Sequence, residues 1–287
     1  GGVLLGILVG VLPGLGAPNG VTLLLPLTFT MEPVSAIILL SSMYWGALFG
    51  GSTTSILFNI PGEPSSVATT FDGYPMARNG RAAEALATAF LSAGFGAMVG
   101  VMVVTLIANA IADFALKFGP AEFFAVYLLT FCSYLASGGS PLKTLASLLI
   151  GLILASVGMD TVSGEVRLTY GSTTLVSGIS FLAAVVGLFG IGELLVTVEE
   201  GLRFEGLKAK VSWRVVWQAA KNLPKHAVTL IRSTIVGCWM GITPGGPTAA
   251  SFMSYGLAKR FSKFRKGFGK GEPDGVVAPE AADHSAG

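Results

Sequence analysis

Charge is scarce in this chain: 12% of its 287 residues are Asp, Glu, Lys or Arg, about half the share in an ordinary soluble domain. So little charge excludes a water-facing surface over most of its length. The net charge is only +2, and the basic residues stand in loops between apolar segments rather than on one soluble face. That arrangement excludes a nucleic-acid partner. Cysteine and histidine number two each. Cys132 and Cys238 lie within apolar segments and read as small buried hydrophobes, not as a disulfide or a metal pair. His226 borders a basic stretch and His284 lies in the tail, three residues from the last, so neither has a metal-ligand neighbourhood. No nucleophile and base pairing, phosphate loop or metal spacing is present, which argues against an enzyme and implies no cofactor. A basic leader region is also missing. The chain opens on Gly1-Gly2-Val3 with no methionine and already inside an apolar run, which reads as a fragment.

Apolar residues make up 52% of the chain, and the mean hydropathy is +0.71. Apolar stretches sized for a hydrocarbon layer of about 30 Å recur at residues 36–58, 82–112, 121–136, 142–157, 175–198 and 226–257. The expected fold is an all-α polytopic membrane protein. Glu32 before Pro33 predicts a helix start, since a carboxylate favours the first turn and proline the first helical position. Residues 62–81 read as a polar loop in which Asp72 and Glu63 are solvated, with a part in ion coupling as the alternative role. Residues 158–174 form a second polar excursion.

The linker at 199–225 is rich in lysine and arginine, and Trp213 and Trp217, four apart, predict an amphipathic interfacial helix. The positive-inside rule places it in the cytoplasm with the loops at 78–81 and 137–143, leaving the Lys117 and Arg167 loops outside.

Glycine and proline carry the informative pattern. Gly2, Gly6, Gly10 and Gly14 recur every fourth residue and open a strip of bare backbone on one helix face; the run PGLGAPNG at 13–20 then ends that helix. Gly237, Gly241 and Gly245 repeat the spacing, and Pro244 precedes Gly245 as Pro13 precedes Gly14. Two Gly/Pro-interrupted apolar segments at corresponding positions point to the binding site of an inverted-repeat secondary transporter. On this reading residues 1–198 form a first repeat with broken helices, 199–225 the cytoplasmic linker, 226–258 the start of a second repeat, and 259–287 a truncated polar, basic tail. The segment 226–257, broken at 243–247, is either a re-entrant hairpin or a single kinked span.

Residues 44–64, YWGALFGGSTTSILFNIPGEP, combine glycines, four consecutive hydroxyl residues, an amide and two prolines within an apolar span. Such a stretch at membrane depth is tolerated where it is buried in protein or lines a polar cavity, and it is read as a substrate site. GVLPGLG at 10–16, the run from Tyr44 to Ala87 and FGKGEPDGVVAPEAA at 268–282 resemble the large permease subunit of the tripartite tricarboxylate transporters over most of the chain.

The resemblance implies a protein of about a dozen membrane segments in the bacterial inner membrane. It also implies a small four-helix membrane subunit and a periplasmic solute-binding protein that delivers a carboxylate such as citrate. Transport would be secondary, a symport with Na⁺ or H⁺. Full-length members continue to a second IPG-type element, whereas this sequence departs from them after Ala282 and stops.

Free N–H groups at a half-helix N-terminus attract carboxylates, so substrate contacts are expected at Pro13, Gly14, Gly16 and Asn19 and at Gly50, Gly51, Ser52, Thr53 and Thr54. Asn59, Pro61 and Gly62 would close the site, and Gly241, Pro244, Gly245 and Gly246 form the second-repeat motif. The competing reading has the hydroxyls bonding back to their own helix and the glycines only permitting close packing; Ser55 is assigned that role. The rival classes are a truncated, non-transporting remnant, a structural membrane subunit and an intramembrane enzyme.

Overall fold

The computed structural model describes every residue except 13, 14, 118, 138, 139, 161, 162, 181, 182, 185, 193, 194, 196–208, 244 and 245. The described chain is all-α apart from one pair of two-residue strands, Gly158–Met159 and Val166–Arg167. In order come α1 (Gly2–Val11), α2 (Gly16–Thr28), α3 (Pro33–Phe58), α4 (Val67–Met76), α5 (Ala82–Ala115), α6 (Pro120–Ser137), α7 (Pro141–Ala155), α8 (Thr173–Val176), α9 (Trp213–Asn222), α10 (Ala227–Met240), α11 (Gly246–Phe261) and α12 (Asp274–Ala286).

Among the described residues, α3 and the helical stretch 64–108 are the two helices long and apolar enough to cross a membrane. Large apolar side chains nonetheless point outward along α1, α2, α5, α6 and α7, among them Leu4, Leu23, Leu106, Phe124 and Leu142. The span expected at 175–198 falls partly outside the described residues. Cys132 is exposed rather than buried, and Cys238 is half-buried; both are free.

The start of α3 follows its sequence signals: Glu32 accepts the Ser35 N–H at 3.1 Å, and this holds the Glu32 carboxyl below its ordinary range. Its N-terminal half meets α1 in a parallel register set by glycine. A methyl group on Gly6 would strike the Met43 carbonyl oxygen, one on Gly10 that of Ala47, and one on Gly46 that of Val3. The spacing of four thus lets two backbones touch. Helix α2 returns antiparallel, with Gly20 against Val9 and Met43, so α1 and α2 form a hairpin whose tip points along α3.

A second hairpin has the same build. Gly237 lies against Ala282 and Ser285, and Gly241 against Ala286, so α10 runs parallel to α12. Helix α11 runs back, with Ala249 and Ala250 packed beside Ala282 and Tyr255 and Ala258 beside Ala278. Both ends of the hairpin return to one carboxylate: His226 Nδ1 lies 2.7 Å from Asp274 Oδ1, and the Ser262 hydroxyl donates to Oδ2. Fourteen and sixteen residues give helices of about 21 and 24 Å, short of the ~30 Å hydrocarbon layer.

Residues 62–81, expected as a solvated loop, are a helical turn and α4, with Asp72 fully buried. Asp72 Oδ1 accepts the N–H groups of Gly269, Gly271 and Glu272 at 2.8–2.9 Å, and Oδ2 accepts the Tyr255 hydroxyl at 3.0 Å. Asn79 and Arg81 donate to the carbonyls of Lys270 and Gly271. The expected polar tail is corrected more sharply. Residues 274–285 are all buried in α12, which α5, α10 and α11 enclose, because its Gly and Ala residues let those neighbours approach. Helix α3 crosses α12 antiparallel, with Ser52 opposite Glu280, Phe49 against His284, and Tyr44 and Leu48 beside Gly287.

Candidate functional site

Five glycines from four segments converge where the first hairpin ends. Gly50 meets Ile7 and Gly10, and Gly62 packs on Gly10 and Gly51. Gly51 lies 3.3 Å from Glu63 Oε1, measured from where its Cβ would stand, and Gly16, with φ +67°, opens α2 beside Glu63. The chain reaches this point because Asn59, left-handed at φ 57°, ends α3 and turns residues 60–63 back along it. Pro61 is buried in that turn, and the ten-residue α4 separates the turn from Arg81.

Of the residues singled out from sequence, Gly16, Gly50, Gly51, Pro61 and Gly62 therefore share one locus. Asn19 is exposed and stands apart from it. Pro13, Gly14, Pro244 and Gly245 lie outside the described residues. Gly241 and Gly246 pack at the tip of the second hairpin.

The hydroxyls divide into two groups. Thr53 donates to Phe49 O, and Thr54 and Ser55 both donate to Gly51 O, which is local bonding within α3. Ser52 differs, because its Oγ also lies 2.8 Å from Glu280 Oε2. Glu280 Oε1 accepts the Thr69 hydroxyl at 2.6 Å.

An acidic centre that sequence reasoning missed is thereby assembled. Glu63 comes from the turn, and Glu280 and Asp283 from α12; all three are buried and lie within electrostatic reach of one another. The Ala17 N–H, at the start of α2, faces the Glu63 carboxyl. An acidic side chain of the protein thus stands where a substrate carboxylate was expected. The detectable signal was the count of ionisable residues, Asp274, Glu280, Asp283 and His284, in a stretch otherwise made of Gly, Ala, Val and Pro.

His284 stacks on Phe49 with ring centroids 4.5 Å apart. Its Nδ1 lies 3.1 Å from the Glu280 carbonyl oxygen, which can only accept, so the hydrogen is on Nδ1. Beside it a cavity of about 330 Å³ is lined by Trp45, Val101, Val104, Cys238, Ser285 and His284. A second missed group is Arg232, a half-buried cation on α10 that Asp274 attracts electrostatically. Its position in an apolar segment was the available signal. In the loop before α12, burial and the neighbouring Asp274 hold the Glu272 carboxyl above its ordinary range. Among the described residues no group of three His, Cys, Asp or Glu is placed to hold a metal ion.

The chain is 43% identical over 288 residues to a protein of Agrobacterium vitis described as "Uncharacterized 52.8 kDa protein in TAR-I ttuC' 3'region". That alignment covers 99% of this chain and 57% of the relative, so the chain spans a little over half the relative's length. No solved structure matches it. The tripartite tricarboxylate transporter TctA family matches residues 1–287. From end to end, the chain belongs to the tripartite tricarboxylate transporter TctA family.

Proposed function

We propose that this chain forms the substrate-translocating part of a permease for secondary, ion-coupled uptake of tricarboxylates such as citrate. It works in the bacterial inner membrane as a multi-pass subunit, beside a small four-helix membrane subunit and a periplasmic binding protein that delivers the substrate. The coupling ion is H⁺ or Na⁺.

The observation that carries this reading is the pair of glycine hairpins. The first packs parallel on α3 and the second parallel on α12, while α3 and α12 run antiparallel to each other. The correspondence is residue by residue: Gly6 with Met43 is answered by Gly237 with Ala282, Gly10 with Ala47 by Gly241 with Ala286, and Val3 with Gly46 by Thr234 with Ser285. These pairs fit an inverted repeat, whose symmetry suits alternating access around a site at mid-membrane. Helices too short to span suit re-entrant hairpins entering from opposite faces.

Uptake of labelled citrate by cells carrying this chain with the two partner subunits tests the reading, beside the same chain extended to the length of its relative. Citrate accumulation that depends on the binding protein is the expected result. Absence of uptake from both forms would overturn it.

A further inference from the structure

Ser52 has a single hydroxyl hydrogen and two acceptors within reach, Leu48 O at 3.1 Å and Glu280 Oε2 at 2.8 Å. A full two-centre bond on each side requires a hydrogen on Glu280 Oε2, donating to Ser52 while Ser52 donates to Leu48, because a single shared hydrogen would be split between the two acceptors. Thr69 then serves Oε1. The protonated acid is the form that fits this geometry.

Its surroundings lead to the same form. Both oxygens of Asp283, Oε1 of Glu63 and the Ser65 hydroxyl are buried without a hydrogen-bond partner, and Ser65 faces Asp283. Each element packed around the centre contributes its own titratable groups. From α3 comes Tyr44, from the turn Glu63, and from α12 itself His284, 3.9 Å from Glu280 and 4.0 Å from Asp283. On α10 the charged group is Arg232, which interacts electrostatically with Asp274, at the other end of α12 from Asp283. Helix α5 has Glu84, paired with Arg81; α4 has Asp72, held by loop amides and the α11 residue Tyr255. Three buried carboxylates with a single histidine beside them among the described residues would still carry excess negative charge, at a cost of several kcal/mol per ion, and hydrogen ions relieve that cost.

We propose that Glu280 binds a proton that the transport cycle takes up and releases, with Asp283 and Glu63 as the neighbouring buried acceptors. This rests on the reading of the protein as an ion-coupled carrier. Uptake turns one carboxylate and one hydronium ion into a carboxylic acid and water, and release reverses it.

Two measurements on the full chain in lipid vesicles test it. The first is pH-difference infrared spectroscopy with potassium as the only metal cation, repeated with added Na⁺. A carboxylic-acid carbonyl band that grows as pH falls, shifts in D₂O, disappears in Glu280→Gln and moves in Ser52→Ala is expected. No such band, a band retained in Glu280→Gln, or a band abolished by Na⁺ would overturn the proposal, the last marking a metal-cation site instead. The second is citrate uptake with the partner subunits along a pH gradient, where Glu280→Gln is expected to lose at least tenfold of the gradient-driven component. Gradient-driven uptake unchanged in that variant also overturns the proposal. If the unaltered protein takes up no citrate, the carrier reading fails, and the infrared titration still decides whether Glu280 holds a proton.

Discussion

His226 Nδ1 lies 2.7 Å from Asp274 Oδ1, which joins the residue that opens the second hairpin to the first residue of the helix it packs against. The other oxygen of the same carboxylate takes the Ser262 hydroxyl where the hairpin closes. One buried acid thus fixes both open ends, while Gly241, at the other end of α10, packs on the Ala286 backbone.

Asp274→Ala removes the acceptor and strands His226 and Ser262. A loss of about 3 kcal/mol is expected, since removing a buried acceptor leaves its hydrogen-bond partners unsatisfied. Asp274→Asn, which keeps one acceptor, should lose less. Melting temperatures of the purified protein in one detergent rank the three forms.

The glycine strips predict a sharp contrast between substitutions of equal size. Gly10→Ala would drive a methyl group into the Ala47 carbonyl, and Gly241→Ala would press on the Ala286 backbone; each should destabilise by about 1–3 kcal/mol. A Cβ on Gly94, within α5, meets nothing within 4 Å. Gly94→Ala should be neutral or stabilise by up to about 1 kcal/mol, the helix-propensity difference between the two residues. Thermal melts of the three variants separate packing glycines from incidental ones.

Ser52 and Ser55 look alike in sequence and differ in contacts. Ser55→Ala gives up one bond to its own helix and should change stability by less than about 0.5 kcal/mol. Ser52→Ala deprives buried Glu280 of a partner and should cost about 1–3 kcal/mol. Equal melting temperatures for the two variants would contradict the assignment.

That pair marks how far the sequence could be read. The four-residue glycine spacing marked the faces on which α1 touches α3 and α10 touches α12, because backbone contact demands glycine at a fixed period, and Glu32-Pro33 marked the start of α3. The burial of residues 274–285 was not legible. A stretch with four ionisable side chains scores as solvent-facing, and only the approach of neighbouring helices supplies Ser52, Thr69 and Ser262 as partners. Asp72 was misread for the same reason: its donors are backbone N–H groups nearly 200 residues away, and amides leave no mark in side-chain composition.

Asp72 is accordingly expected to be structural. Asp72→Ala removes the acceptor of three backbone N–H groups and one hydroxyl, and should cost about 3 kcal/mol or more. Limited proteolysis should then cut near residues 268–272, the loop those bonds hold, while the unaltered protein resists under the same conditions.

Sidedness tests the inverted arrangement of the two hairpins most directly. In a chain whose Cys132 and Cys238 are replaced by serine, Thr30→Cys and Lys263→Cys each place one thiol at an exposed position beyond the open end of one hairpin. A membrane-impermeant maleimide added to intact cells should label Thr30→Cys and spare Lys263→Cys, which should react only after the membrane is opened. Labelling of both thiols from the same face would contradict the arrangement.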